Sequence, residues 1–429
     1  MKLMRSLIPR PLLSAYHFAL AYLAAALYRF PSKKLLVIAV TGTKGKSSVT
    51  EMINAILEEA GHTTAVLNSI RFKISERSER NLSRMSMPGR FFIQRFLRRA
   101  VASGCTTAIL EMTSEGAAQY RHRAIELDAL VFTNLAPEHI ERHGSYEAYA
   151  DAKFEIGKQL ARSKKRPRIM VANADDAQAA RYLTLPIEKK IGFSLRKHES
   201  YADERGGRLV FDDQTIFISL PGEFSLKNAL AAASVAEALD IPTSVIVRAL
   251  AKIKTIPGRG ERIEEGQSFT AVIDYAHTPD SLQALYGAYA APRLVRQDSP
   301  QAGSGPKRKL ICVLGNTGGG RDAWKRPVMG KIADDMCDVV FLTNEDPYDE
   351  DPRAIVEEMT KGMGRKPTII MDRRLAIREA LKTAKPGDAV LISGKGTDPN
   401  ICIDNGKKIP WSDADVVREE LKTLRNGQV

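Results

Sequence analysis

Apolar positions along this chain fall into short uninterrupted runs separated by longer amphipathic stretches. Leu35–Val40 (LLVIAV) is one such run, the pattern of a parallel strand buried on both faces. A glycine loop follows, then an amphipathic helix over about Lys46–Glu59, stopped by Gly61. Further strands are expected at Thr106–Leu110, Ala129–Phe132 and Arg168–Ala172, with helical patterns at Phe91–Ala102 and Tyr146–Leu160 between them. Strands alternating with helices give a doubly wound sheet. Alternating segments at Arg208–Phe211 and Thr215–Ser219 read as an appended hairpin, and helices at Ser225–Leu239 and Thr243–Ile253 close this part. The Pro-Gly punctuation in Thr255–Gly260 reads as a hinge. A second α/β series follows, with strands expected at Ala271–Asp274, Leu310–Leu314, Val339–Thr343, Thr368–Met371 and Ala389–Ser393. Helices are expected at Ser281–Ala288, Trp324–Asp334, Pro352–Lys361 and Leu375–Thr383, and Arg296–Lys309 reads as a mobile loop.

Composition adds limits. A chain of 429 residues is too long for one ordinary core, and 44% hydrophobic with 27% charged residues suits a soluble globular protein. Cys105, Cys312, Cys337 and Cys402 show no paired spacing, so each is expected to be a buried, unpaired thiol in a reducing cytosol. The net charge of +13 is unevenly spread: the first 34 residues hold Lys2, Arg5, Arg10, Arg29, Lys33 and Lys34 and no acid. A second basic stretch runs from Arg71 to Arg99. No nucleic-acid-binding motif accompanies this charge, so an anionic small substrate or an anionic membrane surface is the expected partner, not nucleic acid. The run Leu12–Leu27 is shorter than the roughly 20 residues a spanning helix needs and contains His17. It reads as a helix packed on the body, with peripheral membrane contact as the sharper alternative.

The strand–loop–helix context of Thr41, Gly42, Thr43, Lys44, Gly45, Lys46, Ser47 and Ser48 marks a phosphate-binding loop for ATP, although Val40 stands where the common pattern has glycine. Backbone N–H groups there point at phosphates from a helix N-terminus. Lys46 is expected on the β/γ oxygens and Ser47 on Mg²⁺. Glu111, at the carboxyl end of a strand, is the best further Mg²⁺ ligand, and His139 either completes the shell or caps the next helix.

Several motifs, in order, resemble the Mur ligases, nearest to their tripeptide-synthetase branch: TGTKGKS, Glu111–Glu115, TNLAPEHIERHG with downstream Ala152-Lys153, NADD, FSLKNALAA, PGRGER, DYAHTPDSL, LGNTGGGRDAWKRPVMG and GKGTD. They cover nearly everything from Leu35 onward. The resemblance implies a central doubly wound P-loop ATPase domain (35–254), a Rossmann-like α/β C-terminal domain (255–429) and a short basic helical N-terminal segment (1–34). It implies an ATP-dependent amide ligase of peptidoglycan precursor synthesis: an acceptor carboxylate is phosphorylated to an acyl phosphate, which an amino acid's amine then attacks. Lys46, Glu111, His139 and Lys153 become the catalytic set. Lys153 matches a lysine carbamylated in the family to hold a second Mg²⁺, its plainer reading being a solvated helix lysine. Asn228 and Arg259 match nucleotide contacts. Asp274 and His277 are expected where the C-terminal domain meets ATP, or as helix caps. Met87, Arg90, Thr113, Ser114 and Arg121 are expected around the acceptor, Arg321 in a substrate-side polar cluster after the glycine-rich turn, and Asp346, Tyr348, Lys395 and Asp398 around the incoming amino acid.

Three departures narrow this. Only 34 residues precede the first strand, where such ligases carry a UDP-gripping domain of about a hundred residues, so that domain is expected to be absent. A lipid-linked acceptor would suit the apolar, basic N-terminus. Glu345-Asp346-Pro347-Tyr348 stands where the diaminopimelate-type motif is Asp-Asn-Pro-Arg, so the arginine that would clamp a distal carboxylate is missing. TSEG replaces SSHA, and Asp398 replaces a usual glutamate. A related ligase using a lipid-linked, folylpolyglutamate or cyanophycin-type acceptor, or a non-catalytic regulator, is the alternative. A cytoplasmic monomer is expected.

Overall fold

The structure, a computed structural model, describes residues 10–138, 140–297 and 308–426. His139 and most of the expected loop Arg296–Lys309 lie outside the described residues. Two compact units form. The first comprises the chain to Ser200 with Leu209–Phe217 and Lys227–Lys252; the second comprises Tyr201–Arg208, Ile218–Leu226 and the chain from Ile253.

In the first unit, helix α1 (Arg10–Leu27) precedes β1 (Leu36–Thr41), whose apolar residues are buried as a continuous run. Next come α2 (Lys46–Glu59), β2 (Thr64–Leu67), β3 (Arg71–Ile74), β4 (Arg77–Arg80), α3 (Arg90–Ala102), β5 (Thr107–Glu111), α4 (Ser114–Ala118), β6 (Ala129–Phe132), α5 (Tyr146–Arg162), β7 (Ile169–Asn173) and β8 (Lys189–Phe193). The sheet order is β4-β3-β2-β5-β1-β6-β7-β8. Its strands pair in parallel from β2 to β8, and β3 and β4 add an antiparallel edge. This central sheet is the doubly wound arrangement expected. Its order reverses at β1, so the carboxyl ends of β1, β5 and β6 open the crevice where such sheets bind ligands. One face carries a core of Val37, Leu110, Phe132, Leu160 and Met170.

Four strands of this sheet were not legible. The four residues of β2 are too few to separate a strand from a helix end, and every residue of β4 is exposed and polar. β3 lies in the same basic stretch, and β8 is a half-exposed edge strand rich in lysine.

The second unit is built on a six-stranded sheet. Its strands β12 (Glu261–Ile263), β13 (Thr270–Asp274), β14 (Leu310–Leu314), β15 (Val339–Leu342), β16 (Thr368–Ile369) and β17 (Ala389–Ser393) follow β9 (Ser200–Ala202), β10 (Gly207–Phe211) and β11 (Gln214–Ile218) in the chain. The order is β12-β13-β17-β14-β15-β16, parallel except for β12. Apolar clusters cover both faces, one around Tyr286 and Met329 and the other around Ile377 and Val417.

The cysteines require a correction. All four are buried as expected, but Cys312 and Cys337 are joined in a disulfide, with Cα atoms 6.2 Å apart. The separation of 25 residues concealed this, because helix Lys325–Met336 returns the chain to the start of β14. There the N–H of Asp338 donates to the Leu310 carbonyl at 2.8 Å.

Helix Asp413–Asn426 also escaped the sequence pattern, since its apolar positions are sparse among charges. What seats it is a buried ion pair. Arg373 donates from Nε to Asp413 Oδ1 at 2.8 Å and from Nη2 to Oδ2 at 2.7 Å, and Nη2 also reaches the Ser393 carbonyl. Both side chains are at most 1% exposed. Removing one partner leaves an uncompensated buried charge, which costs about 3–5 kcal/mol. Asp413→Ala is therefore expected to lower the unfolding free energy of this unit in a urea titration by that amount, with Trp411 fluorescence as readout because its indole donates to Asp413. Exposed Asp415→Ala should change stability by less than about 0.5 kcal/mol.

Candidate functional site

The loop between β1 and α2 is held from one side by the segment after β6. The Thr43 N–H donates to the Asn134 carbonyl at 2.8 Å, and the Lys44 N–H to Asn134 Oδ1 at 2.9 Å. In return, Thr133 Oγ1 and Asn134 Nδ2 donate to the Lys44 carbonyl at 2.7 and 3.1 Å. Gly42 and Gly45 take φ of +146° and +81°, backbone that side-chain-bearing residues rarely adopt. A β-carbon on Gly42 would lie 1.9 Å from Thr133 Oγ1, and one on Gly45 would lie 2.3 Å from Asn228 Oδ1. Asn228 thus packs directly on the loop. Thr41 Oγ1 donates to the Met112 carbonyl, and Ser48 is buried on the first turn of α2.

At the mouth of the loop, polar groups interlock. Ser47 Oγ donates to Glu111 Oε2 at 2.8 Å, and the Ser69 N–H donates to the same oxygen at 3.0 Å. Lys46 Nζ donates to the Thr43 carbonyl at 2.9 Å and sits 4.0 Å from Glu111. Lys44 pairs with Glu138 at 3.2 Å. Helix α5, capped by Ser145, brings Tyr149 and Lys153 underneath. Tyr149 hydrogen-bonds Thr43 Oγ1 at 2.9 Å, and Lys153 Nζ donates to the Gly42 carbonyl at 2.7 Å. Lys153 is 2% exposed, so the solvated reading is wrong. Burial first, and then the neighbouring Lys46 cation, hold its ammonium well below the ordinary lysine range.

The residues expected around the acceptor also come together. Met87 is buried against Gly116, and Arg121 donates to the Met87 carbonyl and to Gln119 Oε1. Arg90 donates to the Gln119 carbonyl at 2.9 Å. Burial and then the adjacent Arg90 charge lower the Arg121 pKa, the mark of two guanidiniums sharing a confined space. Thr113 and Ser114 are engaged in the fold, Thr113 capping α4 and Ser114 being buried.

In the second unit, the turn at Gly258, the loop after β13 and the loop after β17 meet. A β-carbon on Gly258 would lie 2.6 Å from the Thr397 nitrogen, and one on Gly396 would lie 2.7 Å from Tyr275 Cβ. Arg259 lies over the Tyr275 ring at 4.4 Å, and Asp274 accepts from the N–H groups of Gly260 and Ala276. His277 Nδ1 donates to the Tyr275 carbonyl. Lys395, fully buried, pairs with Asp346 at 2.9 Å and lies 3.5 Å from Asp398. Arg321 stacks over Tyr348 at 5.0 Å, beside the glycine turn. Glu345 is buried and accepts from Thr317, and burial raises its pKa.

Sequence comparison fits this geometry. Residues 40–236 match the Mur ligase middle domain, and residues 258–396 match the Mur ligase glutamate ligase domain. A UDP-N-acetylmuramyl-tripeptide synthetase from Roseiflexus sp. (strain RS-1) is 36% identical over 95% of this chain and 83% of its own length. A UDP-N-acetylmuramoyl-L-alanyl-D-glutamate–2,6-diaminopimelate ligase from Syntrophomonas wolfei is 35% identical over 94% and 82%. A solved structure of a ligase of the latter name aligns with a TM-score of 0.59 and 29% identity, over 91% of this chain and 79% of that one. The chain belongs to the Mur ligase family. Mur ligases are ATP-dependent amino-acid ligases, and this chain is an enzyme of that class.

The Mur ligase loop fits Mg²⁺ chemically. The Ser47 hydroxyl and Glu111 carboxylate are hard oxygen donors in contact beside Lys46, and Mg²⁺ favours one or two such ligands with phosphate and water. Among the described residues no group of three His, Cys, Asp or Glu is assembled for a metal. Ser69, Asn134 and Tyr149 were not anticipated. Asn134 stood inside the quoted TNLAPEH motif, whereas Ser69 follows the unrecognised strand β2.

Gly42→Ala is expected to weaken ATP binding by roughly ten- to a hundred-fold, as strain of about 1–3 kcal/mol enters the loop. Titration calorimetry with a non-hydrolysable ATP analogue measures it. Gly61→Ala, where an added β-carbon meets open space, tests whether positive φ alone produces the loss.

Proposed function

We propose that this Mur ligase joins an amino acid to the carboxylate of a muramyl-peptide acceptor of the UDP-MurNAc-dipeptide type, acting as a cytoplasmic monomer in peptidoglycan precursor synthesis. The observation that carries the reading is the cluster at the loop mouth, where Ser47 is hydrogen-bonded to Glu111 and Lys46 lies 4.0 Å from that carboxylate, with Lys153 buried against the loop's own carbonyl. Such a cluster suits phosphoryl transfer, which depends on positioning and charge neutralisation. Lys46 offsets charge on the transferred phosphoryl group. The acceptor carboxylate takes that group, ADP departs, and the amine displaces phosphate from the acyl phosphate. Bound Mg²⁺ would supply further charge neutralisation from Ser47 and Glu111. In this reading residues 35–254 carry the phosphoryl chemistry and residues 255–429 the amino-acid chemistry. Arg90 and Arg121 supply cationic charge for the acceptor. Tyr348 stands where the diaminopimelate-type motif has arginine, which favours an amino acid other than diaminopimelate.

Phosphate release from ATP is expected only when UDP-MurNAc-dipeptide and one particular amino acid are both present. Release with a lipid-linked muramyl peptide instead would move the acceptor to the membrane-bound form. Release with folate or cyanophycin primers and no muramyl acceptor would overturn the reading.

Lys153 is proposed to act as its carbamate. A buried lysine amine kept neutral can add carbon dioxide and lose one proton, which turns the neutral amine into an anion able to bind a second Mg²⁺. Turnover should fall in carbon-dioxide-depleted buffer and return with bicarbonate, and ¹³C-bicarbonate should give a carbamate resonance missing from Lys153→Arg. Unchanged turnover of Lys153→Ala without bicarbonate would refute it.

A further inference from the structure

Helix α1 wears its side chains the wrong way round for a helix packed on a protein. Its most deeply buried residues are small, Ala21, Ala24 and Ala25, with His17, and Leu13 and Leu20 are half-buried on the same side. Its large apolar residues Leu12, Tyr16, Phe18, Tyr22, Leu23 and Leu27 are 43–64% exposed. A surface helix ordinarily points such residues at the core. Leu12, Tyr16, Leu23 and Leu27 recur at helical spacing along one stripe, with Phe18 and Tyr22 beside it, rings 4.8 Å apart. No charged residue occurs between Pro11 and Tyr28. Monomeric proteins seldom leave so continuous an apolar face in water.

The face is held rigidly. α1 packs on α3, Arg90 Nη2 donates to His17 Nδ1 at 2.9 Å, and the Phe18 ring meets Tyr120 edge-on. Its end is closed by the Phe30 N–H on the Ala25 carbonyl and the Arg29 N–H on the Ala26 carbonyl, with Arg29 and Phe30 both at positive φ. The exposed face is therefore not a segment waiting to fold back.

Charge decides what covers it. Exposed Arg29, Lys33 and Lys34 follow directly, and the first acidic residue in the sequence is Glu51. A second copy docked by the same face about a two-fold axis would bring two basic borders together, like charge against like charge. Anionic lipid headgroups complement that border, aromatic rings favour the headgroup level, and a one-faced helix lies in the interface. No described helix is long and apolar enough to cross a membrane.

We propose that α1 seats its Leu12–Leu27 face in the interfacial layer of an anionic lipid bilayer, lying along the surface and holding the ligase there. The proposal does not depend on the identity of the acceptor.

Flotation of the full chain with vesicles tests it. The protein should float with phosphatidylcholine–phosphatidylglycerol vesicles, far less with phosphatidylcholine alone, and less at high salt. Leu23→Glu with Leu27→Glu should weaken this by roughly ten-fold or more, leaving the thermal midpoint and phosphate release with soluble acceptor unchanged, because both side chains are exposed and outside the site. Lys33→Gln with Lys34→Gln should lose the preference for the anionic lipid, by roughly five-fold per residue. No flotation with either vesicle, or flotation indifferent to the leucine substitutions, would overturn the proposal. So would a dimer in light scattering that the same leucine substitutions convert to a monomer, which would assign the face to a second copy.

Discussion

The phosphate loop is fixed by backbone donors and acceptors exchanged with the end of the neighbouring strand, and the rest of the first unit is arranged to permit that exchange. Thr133 and Asn134 can grip Thr43 and Lys44 only because β6 runs beside β1 in parallel and ends level with it. The parallel sheet in turn needs both faces covered, which explains strands of unbroken apolar residues flanked by helices. The third support comes from below, where α5 places Tyr149 and Lys153 against the loop. Three separate stretches of chain thus define one loop geometry before any nucleotide arrives, and that rigidity is what a phosphoryl-transfer site requires.

The second unit applies the same economy to a different task. Glycines at 258, 318 and 396 let three loops approach to distances that a β-carbon would forbid. Lys395 is then fully enclosed between Asp346 and Asp398. Lys395 thus has two carboxylates as neighbours, whereas Lys153 is packed near Lys46, and burial together with that cation lowers its pKa well below the ordinary lysine range. Two buried lysines therefore have different surroundings, one between carboxylates and one against a backbone carbonyl near another cation.

Sequence pattern recovered the elements that bury a whole strand or a wide helical stripe. β1, α2, β6 and β14 were placed to within a residue because a buried parallel strand leaves a contiguous apolar run and α2 starts at the glycine loop. Short or polar elements carried no such trace: β4 has no apolar residue, and helix Asp413–Asn426 is seated by a charge pair, which periodicity does not register. The loop residues and Glu111 were legible because strand ends and glycines mark them. Tyr149 and Ser69 were not, since each contributes through a contact that exists only after distant segments pack. The Cys312–Cys337 bond was hidden for the same reason.

The Arg373–Asp413 clasp also bears on the order in which the second unit can be completed. Its two halves are separated by 40 residues, and the later one lies at the start of helix Asp413–Asn426. As the ribosome delivers the chain, Arg373 emerges well before its counter-ion and has to remain hydrated, so the sheet face beneath it stays open. The cluster that joins Ile377, Ala380 and Leu381 to Val416, Val417 and Leu421 consequently cannot be completed until helix Asp413–Asn426 has been made. Vectorial synthesis thus leaves this face to the final helix, and a nascent chain halted before Asp413 would present it to chaperones unsealed.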